Sequence, residues 1–135
     1  MNGLVLQLTV SQQHMMLGGL DERYRKMYGD AVDVAKQHLL YRPMNKDNQD
    51  ILLSGNAHVN DDGKIDLDPQ GQHLTCFVGG MVSIAAKIFE RNELDIARKL
   101  VDGCIWAYES MPTGIMSENF HAVPCSTDCQ WDETR

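Results

Sequence analysis

No apolar run in this 135-residue chain approaches the length of about 20 residues that spans a bilayer. The sequence is therefore expected to hold no transmembrane segment. Basic residues are also scarce, with 12 Lys and Arg set against 19 Asp and Glu for a net charge of −7. Nucleic acids and anionic membranes are held by clustered Lys and Arg, so neither is an expected partner. Met1 to Val10 is apolar, but no Lys or Arg precedes it and no small-residue cleavage site follows. It is a poor signal peptide. Signatures of disorder and low complexity are missing as well, and 43% of the residues are apolar. The length suits one compact domain that would bury roughly two-thirds of its unfolded surface.

What is present is mostly helical periodicity. Leu4, Leu6, Leu8 and Val10 alternate, and the bland reading of that segment is a strand. Gly18-Gly19 breaks the chain and Asp21 reads as an N-cap. Tyr24, Met27, Tyr28, Ala31, Val32, Ala35 and Leu39 then make one apolar stripe, expected to run to about Tyr41. Pro43 disfavours helical geometry at Arg42. After the polar loop Asn45 to Asp50, Ile51 to Val59 and Lys64 to Leu67 flank Asn60-Asp61-Asp62-Gly63, which is a hairpin signal. A second helix is expected from about Thr75 to Arg91. A third runs from Leu94 to about Ser110, with Ile96, Leu100, Val101, Cys104, Ile105 and Tyr108 inward. Asn92-Glu93 leaves room only for a tight turn, so these two should form an antiparallel hairpin. The tail after Pro112 reads as irregular.

Four candidate sites stand against plainer readings. Asp62-Gly63-Lys64-Ile65-Asp66 resembles the middle of a calcium loop, but the first and twelfth places fall on His58 and Pro69. Proline has no carboxylate, so turn chemistry alone favours a plain hairpin. His121, Cys125 and Cys129 follow one another at regular spacing, and His73 precedes Cys76, so these could hold zinc. Disulfides are the competing use of the same thiols, and the count of four cysteines does not decide the compartment. Glu118, beside Phe120 and His121, is a solvated loop residue on the plain reading and a general acid or base on the functional one. His73 is structural on the first reading and catalytic on the second.

Two stretches carry a resemblance. His73-Leu74-Thr75-Cys76-Phe77 with Gly79-Gly80, and Leu100-Val101-Asp102-Gly103-Cys104 with Thr113-Gly114-Ile115 and Glu118, resemble the class I α-1,2-mannosidases of glycosyl hydrolase family 47. His38-Leu39-Leu40-Tyr41-Arg42-Pro43-Met44 is similar to the filamentous-fungal branch. The resemblance covers about Gln13 to Arg135, leaving residues 1–12 as a non-matching N-terminal segment. It implies an all-α fold: residues 13–135 would be part of an (α/α)7 barrel of helix hairpins with a β-hairpin insertion. It also implies a Cys76–Cys104 disulfide, and with it an oxidising compartment, the secretory pathway.

The chemistry implied is inverting hydrolysis of terminal α-1,2-linked mannose from high-mannose N-glycan oligosaccharides, with Ca2+ gripping sugar hydroxyls. By position, Glu118 matches an active-site carboxylate of the family and His73 a histidine bordering the sugar. Ser117 stands where the family has proline, which would loosen the Glu118 loop. The family's catalytic aspartate stretch is replaced here by Leu8-Thr9-Val10-Ser11-Gln12. A further carboxylate and the calcium-binding threonine would lie beyond Arg135, so no metal ligand is expected within this fragment. The expectation is a fragment of a mannosidase, inactive alone, whose longer parent could carry a membrane anchor. Two alternatives are a non-catalytic, mannosidase-like glycan-binding protein of endoplasmic reticulum quality control, and a small secreted metal-binding module.

Overall fold

The computed structural model describes residues 3–125, 129 and 131, with side chains from residue 10 onward. Among these residues the fold is mostly helical, and it is not purely α. Four helices, α1 (Gly3–Met16), α2 (Glu22–His38), α3 (Phe77–Ile88) and α4 (Leu94–Glu109), are joined by six short strands. The strands are β1 (Leu40–Tyr41), β2 (Leu53–Ser54), β3 (Asn56–Val59), β4 (Ile65–Asp68), β5 (Gln70–Gln72) and β6 (Asn119–His121). They pair as three separate antiparallel ribbons, β1 with β2, β3 with β4 and β5 with β6.

The N-terminal segment is a helix, which corrects the strand expectation. Four alternating positions are compatible with either period. The uninterrupted 14-residue run without Gly or Pro after its first residue lets the helix form, and packing on α2 and α3 holds it. Ser11 and His14, three residues apart, are the buried positions on its last turns. The side chains of Leu4, Leu6 and Leu8 lie outside the described residues. The His14 ring stands edge-on to Phe89 at 5.0 Å, and Phe89 packs against Tyr28 at 5.2 Å.

Helix α2 begins where expected, with the Asp21 carboxylate accepting from the Arg23 N–H. It ends at His38 rather than Tyr41, because Leu40 and Tyr41 pair with Ser54 and Leu53. The Asn60–Gly63 turn closes β3 onto β4 as the turn residues dictate, with Gly63 at φ +80°. The ribbon starts at Asn56, not Ile51. A side chain at Gly55 would meet the Asp68 carbonyl at 2.4 Å, so only glycine fits at that point.

Helices α3 and α4 form the expected hairpin, but the turn is longer than Asn92-Glu93. Glu90 takes φ +55° and ends α3 at Ile88. The main core lies between α2, α3 and α4, with Tyr28, Val32, Met81, Val82, Ala85, Ala97 and Leu100 at its centre. The face of α4 that turns inward is its small-residue face, Ala97, Gly103 and Ala107 together with Leu100. Val101, Ile105 and Tyr108, expected inward, are exposed. The two helices approach closely at Gly79, where an added Cβ would lie 2.7 Å from Val101 Cγ2 and 3.1 Å from the Ala97 carbonyl. A smaller cluster of Tyr41, Leu53 and Ala122, with Leu67, Trp106 and Phe120 against it, sits under the ribbons.

An ion network joins α2 to the α3–α4 turn. Glu93, 2% exposed, receives Lys36 Nζ at 2.9 Å and Arg91 Nε at 2.9 Å, and lies 3.3 Å from the Tyr28 hydroxyl. Asp33 pairs with the same two cations at 2.6 Å each.

Candidate active site

The two residues singled out by sequence meet through backbone pairing that sequence did not reveal. The β5–β6 ribbon sets Gln70 against His121, Gly71 against Phe120 and Gln72 against Asn119. One step beyond, the His73 N–H donates to the Glu118 carbonyl at 3.1 Å. His73 and Glu118 are thus direct neighbours at the end of a two-stranded ribbon. His73 is half-buried and Glu118 is exposed.

Each is held from its other side. His73 opens a 3₁₀ turn, His73–Cys76, that leads into α3, and the Thr75 hydroxyl donates to the Gln72 carbonyl at 2.6 Å. Cys76 is bonded to Cys104 with a Cα separation of 5.7 Å, which pins that turn to α4. Glu118 follows a loop in which the Gly114 N–H donates to the Met111 carbonyl at 2.9 Å, with Gly114 at φ +68°. Buried Met116 anchors the loop two residues before Glu118, while Ser117 is exposed.

Behind the ribbon lies an apolar cavity of about 250 Å³, lined by Met44, Trp106, Met111, Phe120, Ala122 and Trp131 among others. On the other flank, Asp68 stands between two imidazoles, 3.7 Å from His121 Nε2 and 3.8 Å from His58 Nε2. The Tyr41 hydroxyl donates to the Pro69 carbonyl at 2.8 Å. Burial pushes the Tyr41 phenol up, and the Asp68 charge adds to this.

The metal readings fare poorly. All four cysteines are consumed, Cys76 by Cys104 and Cys125 by Cys129, which overturns zinc binding through them. Calcium, implied by the family resemblance, finds no ready donor set: among the described residues no three His, Cys, Asp or Glu side chains are grouped to hold a metal. In the Asn60–Gly63 turn the twelfth loop position falls on Pro69, whose carbonyl is already taken by Tyr41. The missing carboxylate leaves a plain turn.

The family model for glycosyl hydrolase family 47 matches residues 9–135. A probable mannosyl-oligosaccharide alpha-1,2-mannosidase 1B of Aspergillus fumigatus is 32% identical over 98 residues, covering 72% of this chain and 18% of that protein. The mannosyl-oligosaccharide alpha-1,2-mannosidase 1B of Emericella nidulans is 32% identical over 102 residues, covering 75% and 19%. An insect relative, the mannosyl-oligosaccharide alpha-1,2-mannosidase IA of Spodoptera frugiperda, is 29% identical over 112 residues, covering 78% and 15%. The chain thus spans less than a fifth of the length of these curated relatives. With its paired Cys76 and Cys104, its helix hairpin and its match over nearly the whole length, the chain belongs to glycosyl hydrolase family 47.

Proposed function

We propose that this chain supplies one sector of the sugar-binding face of an α-1,2-mannosidase that trims mannose from N-glycan oligosaccharides. In this reading Glu118 is one carboxylate of the catalytic set, and His73 bonds a mannose hydroxyl or orients that carboxylate. Residues 13–135 form part of an (α/α)7 barrel, of which the α3–α4 hairpin is one unit. The observation that carries the proposal is the β5–β6 ribbon, which delivers His73 and Glu118 to one place from distant parts of a family 47 chain.

The chemistry fits the residue types. Mannose is neutral and polyhydroxylated, so an imidazole and a carboxylate offer it a donor and an acceptor. Inversion requires an acid on one side of the sugar and a base-activated water on the other, with the carboxyl groups about 6.5–9.5 Å apart. One carboxylate cannot do both. Hydrolysis by this chain by itself is therefore not expected, while weak mannoside binding is. Calcium would belong to the longer enzyme, since the donors described here do not fit it.

The disulfides Cys76–Cys104 and Cys125–Cys129 fit an oxidising compartment, which supports the secretory pathway as the location. Among the described residues no helix is long and apolar enough to cross a membrane.

The test is titration of the chain with a mannosyl-oligosaccharide, alongside an assay for released mannose. Binding that weakens in both His73→Ala and Glu118→Gln, with no mannose released, supports the proposal. Absence of binding overturns it, and release that Glu118→Gln abolishes overturns the claim of inactivity.

A further inference from the structure

We infer that Gly71 and Phe120 are the positioning pair of this site, and that the bare Cα of Gly71 beneath the Phe120 ring sets the register holding His73 against Glu118. The inference rests on the proposed function for its catalytic meaning, but its structural content stands by itself. Gly71 lies directly opposite Phe120 in the β5–β6 ribbon. A Cβ added at Gly71 would come within 2.4 Å of Phe120 Cζ and 2.8 Å of both Cε atoms. No real contact is that short, so any side chain at 71 displaces the ring. Glycine is needed here for space, since the ring occupies the volume that a side chain would fill.

Phe120 is not a passive neighbour. It packs against the small cluster of Tyr41, Leu53 and Ala122, and it borders the cavity shared with Met44 and Trp106. The ribbon is only three residues long on each strand; past it the Met44 N–H donates to the Val123 carbonyl and the Cys125 N–H to the Arg42 carbonyl, while within it the Gly71–Phe120 pair is the tight side-chain contact. Two residues along from Gly71 stands His73, and two residues back from Phe120 stands Glu118. The His73 N–H bond to the Glu118 carbonyl is the next rung of the ladder that this pair anchors. Phe120 is packed against Tyr41, Leu53 and Ala122, so a ring forced off Gly71 would draw β6 with it. The residues touching sugar would then part without any change to either of them.

Hydrogen exchange on the disulfide-intact chain tests this, with the His73 amide as the reporter and the Leu100 amide in α4 as the control. In Gly71→Ala the His73 amide should exchange roughly tenfold faster or more while Leu100 keeps its protection. Adding Phe120→Leu, which lacks the Cε and Cζ atoms that clash, should restore His73 to near its original rate. An unchanged His73 amide in Gly71→Ala means that the ring moved alone, and it overturns the inference. So does a double variant whose His73 stays unprotected, including the case where Gly71→Ala does not fold. Mannoside titration of the same three proteins separates the two proposals. If the unaltered chain binds no mannoside, the functional reading fails while the exchange result still decides the role of Gly71 and Phe120.

Discussion

Lys36 on α2 reaches the buried carboxylate of Glu93, at the start of α4, across 2.9 Å. That contact, with Arg91 on the same carboxylate, ties the second helix to the hairpin that carries Cys76 and Cys104. Glu93→Gln is expected to lower stability by about 2–3 kcal/mol. Breaking a fully buried pair costs more, about 3–5 kcal/mol, but Lys36 and Arg91 are partly solvated and keep Asp33 as a partner. A drop in the urea midpoint at unchanged slope checks it.

The same carboxylate sets the acid limit. Burial alone would raise the Glu93 pKa, but the hydrogen bonds from Arg91 and Lys36 outweigh it and hold the carboxyl below its usual range. The Lys36 hydrogen bond, with the Arg91 charge beside it, likewise lowers Asp33 against the opposing effect of desolvation. A depressed carboxyl contributes stability that is fully present above its unfolded value, near 4.3, and is lost as pH falls through the folded value. Helical circular dichroism should therefore fall off below about pH 4. The acid limb should be shallower in Glu93→Gln, and an identical limb in the two proteins would remove Glu93 from the explanation.

The alkaline side has the opposite sign. Burial, helped by the Glu93 charge, raises the Tyr28 phenol, and burial raises Tyr41 too. Such groups stabilise the fold below their unfolded value of about 10, and that contribution is lost as pH rises through the folded values. Absorbance at 295 nm should show that two of the 4 tyrosines resist ionisation until the chain unfolds. Tyr28→Phe should leave one.

Cys76 and Cys104 close a loop with a sequence separation of 28. Chain entropy alone assigns such a closure roughly 3–4 kcal/mol. Replacing both cysteines by alanine should lower the denaturation midpoint accordingly. It should also speed exchange at the His73 amide, because the 3₁₀ turn loses its tether to α4. Cys125 and Cys129 close a loop with a separation of only 4, which removes much less chain entropy. Their replacement should be milder.

Much of this arrangement was written in local pattern. The stripes through Tyr28, Val32 and Ala35 and through Met81, Val82 and Ala85 placed α2 and α3, and Asn60–Gly63 announced its own turn. His73 and Glu118 are proposed as site residues through the family motif around them. Their meeting was not legible. Gln70–Gln72 and Asn119–His121 are short, with no alternation to read, and their pairing sets an aromatic ring over a glycine far away in sequence. Glu93 was equally silent, since a turn glutamate shows its burial only when α2 brings Lys36 over it. The inward face of α4 is not legible from bulk, because close approach to Gly79 of α3 and to the Leu52 backbone leaves room for Ala97 and Gly103 there.

Three glycines of α3 and α4 make these approaches measurable. A Cβ on Gly103 would lie 2.1 Å from the Leu52 carbonyl, which is backbone and cannot swing aside. Gly103→Ala is thus expected to destabilise by about 1–3 kcal/mol, the usual cost of overpacking. At Gly79 the nearest atom is a Val101 side-chain methyl at 2.7 Å and backbone atoms stand off at 3.1 Å, so the alanine there should cost less. Gly80, one residue on in α3, has nothing within 4 Å of its added Cβ. Alanine at that exposed helical position should stabilise by roughly 0.5–1 kcal/mol, because it lowers the entropy of the unfolded chain without meeting anything in the folded one. Thermal midpoints that rank Gly80→Ala above the unaltered chain, then Gly79→Ala, then Gly103→Ala would confirm that α4 meets α3 at Gly79 and the Leu52 backbone at Gly103. A Gly103→Ala protein as stable as the parent would overturn the close approach of α4 to Leu52.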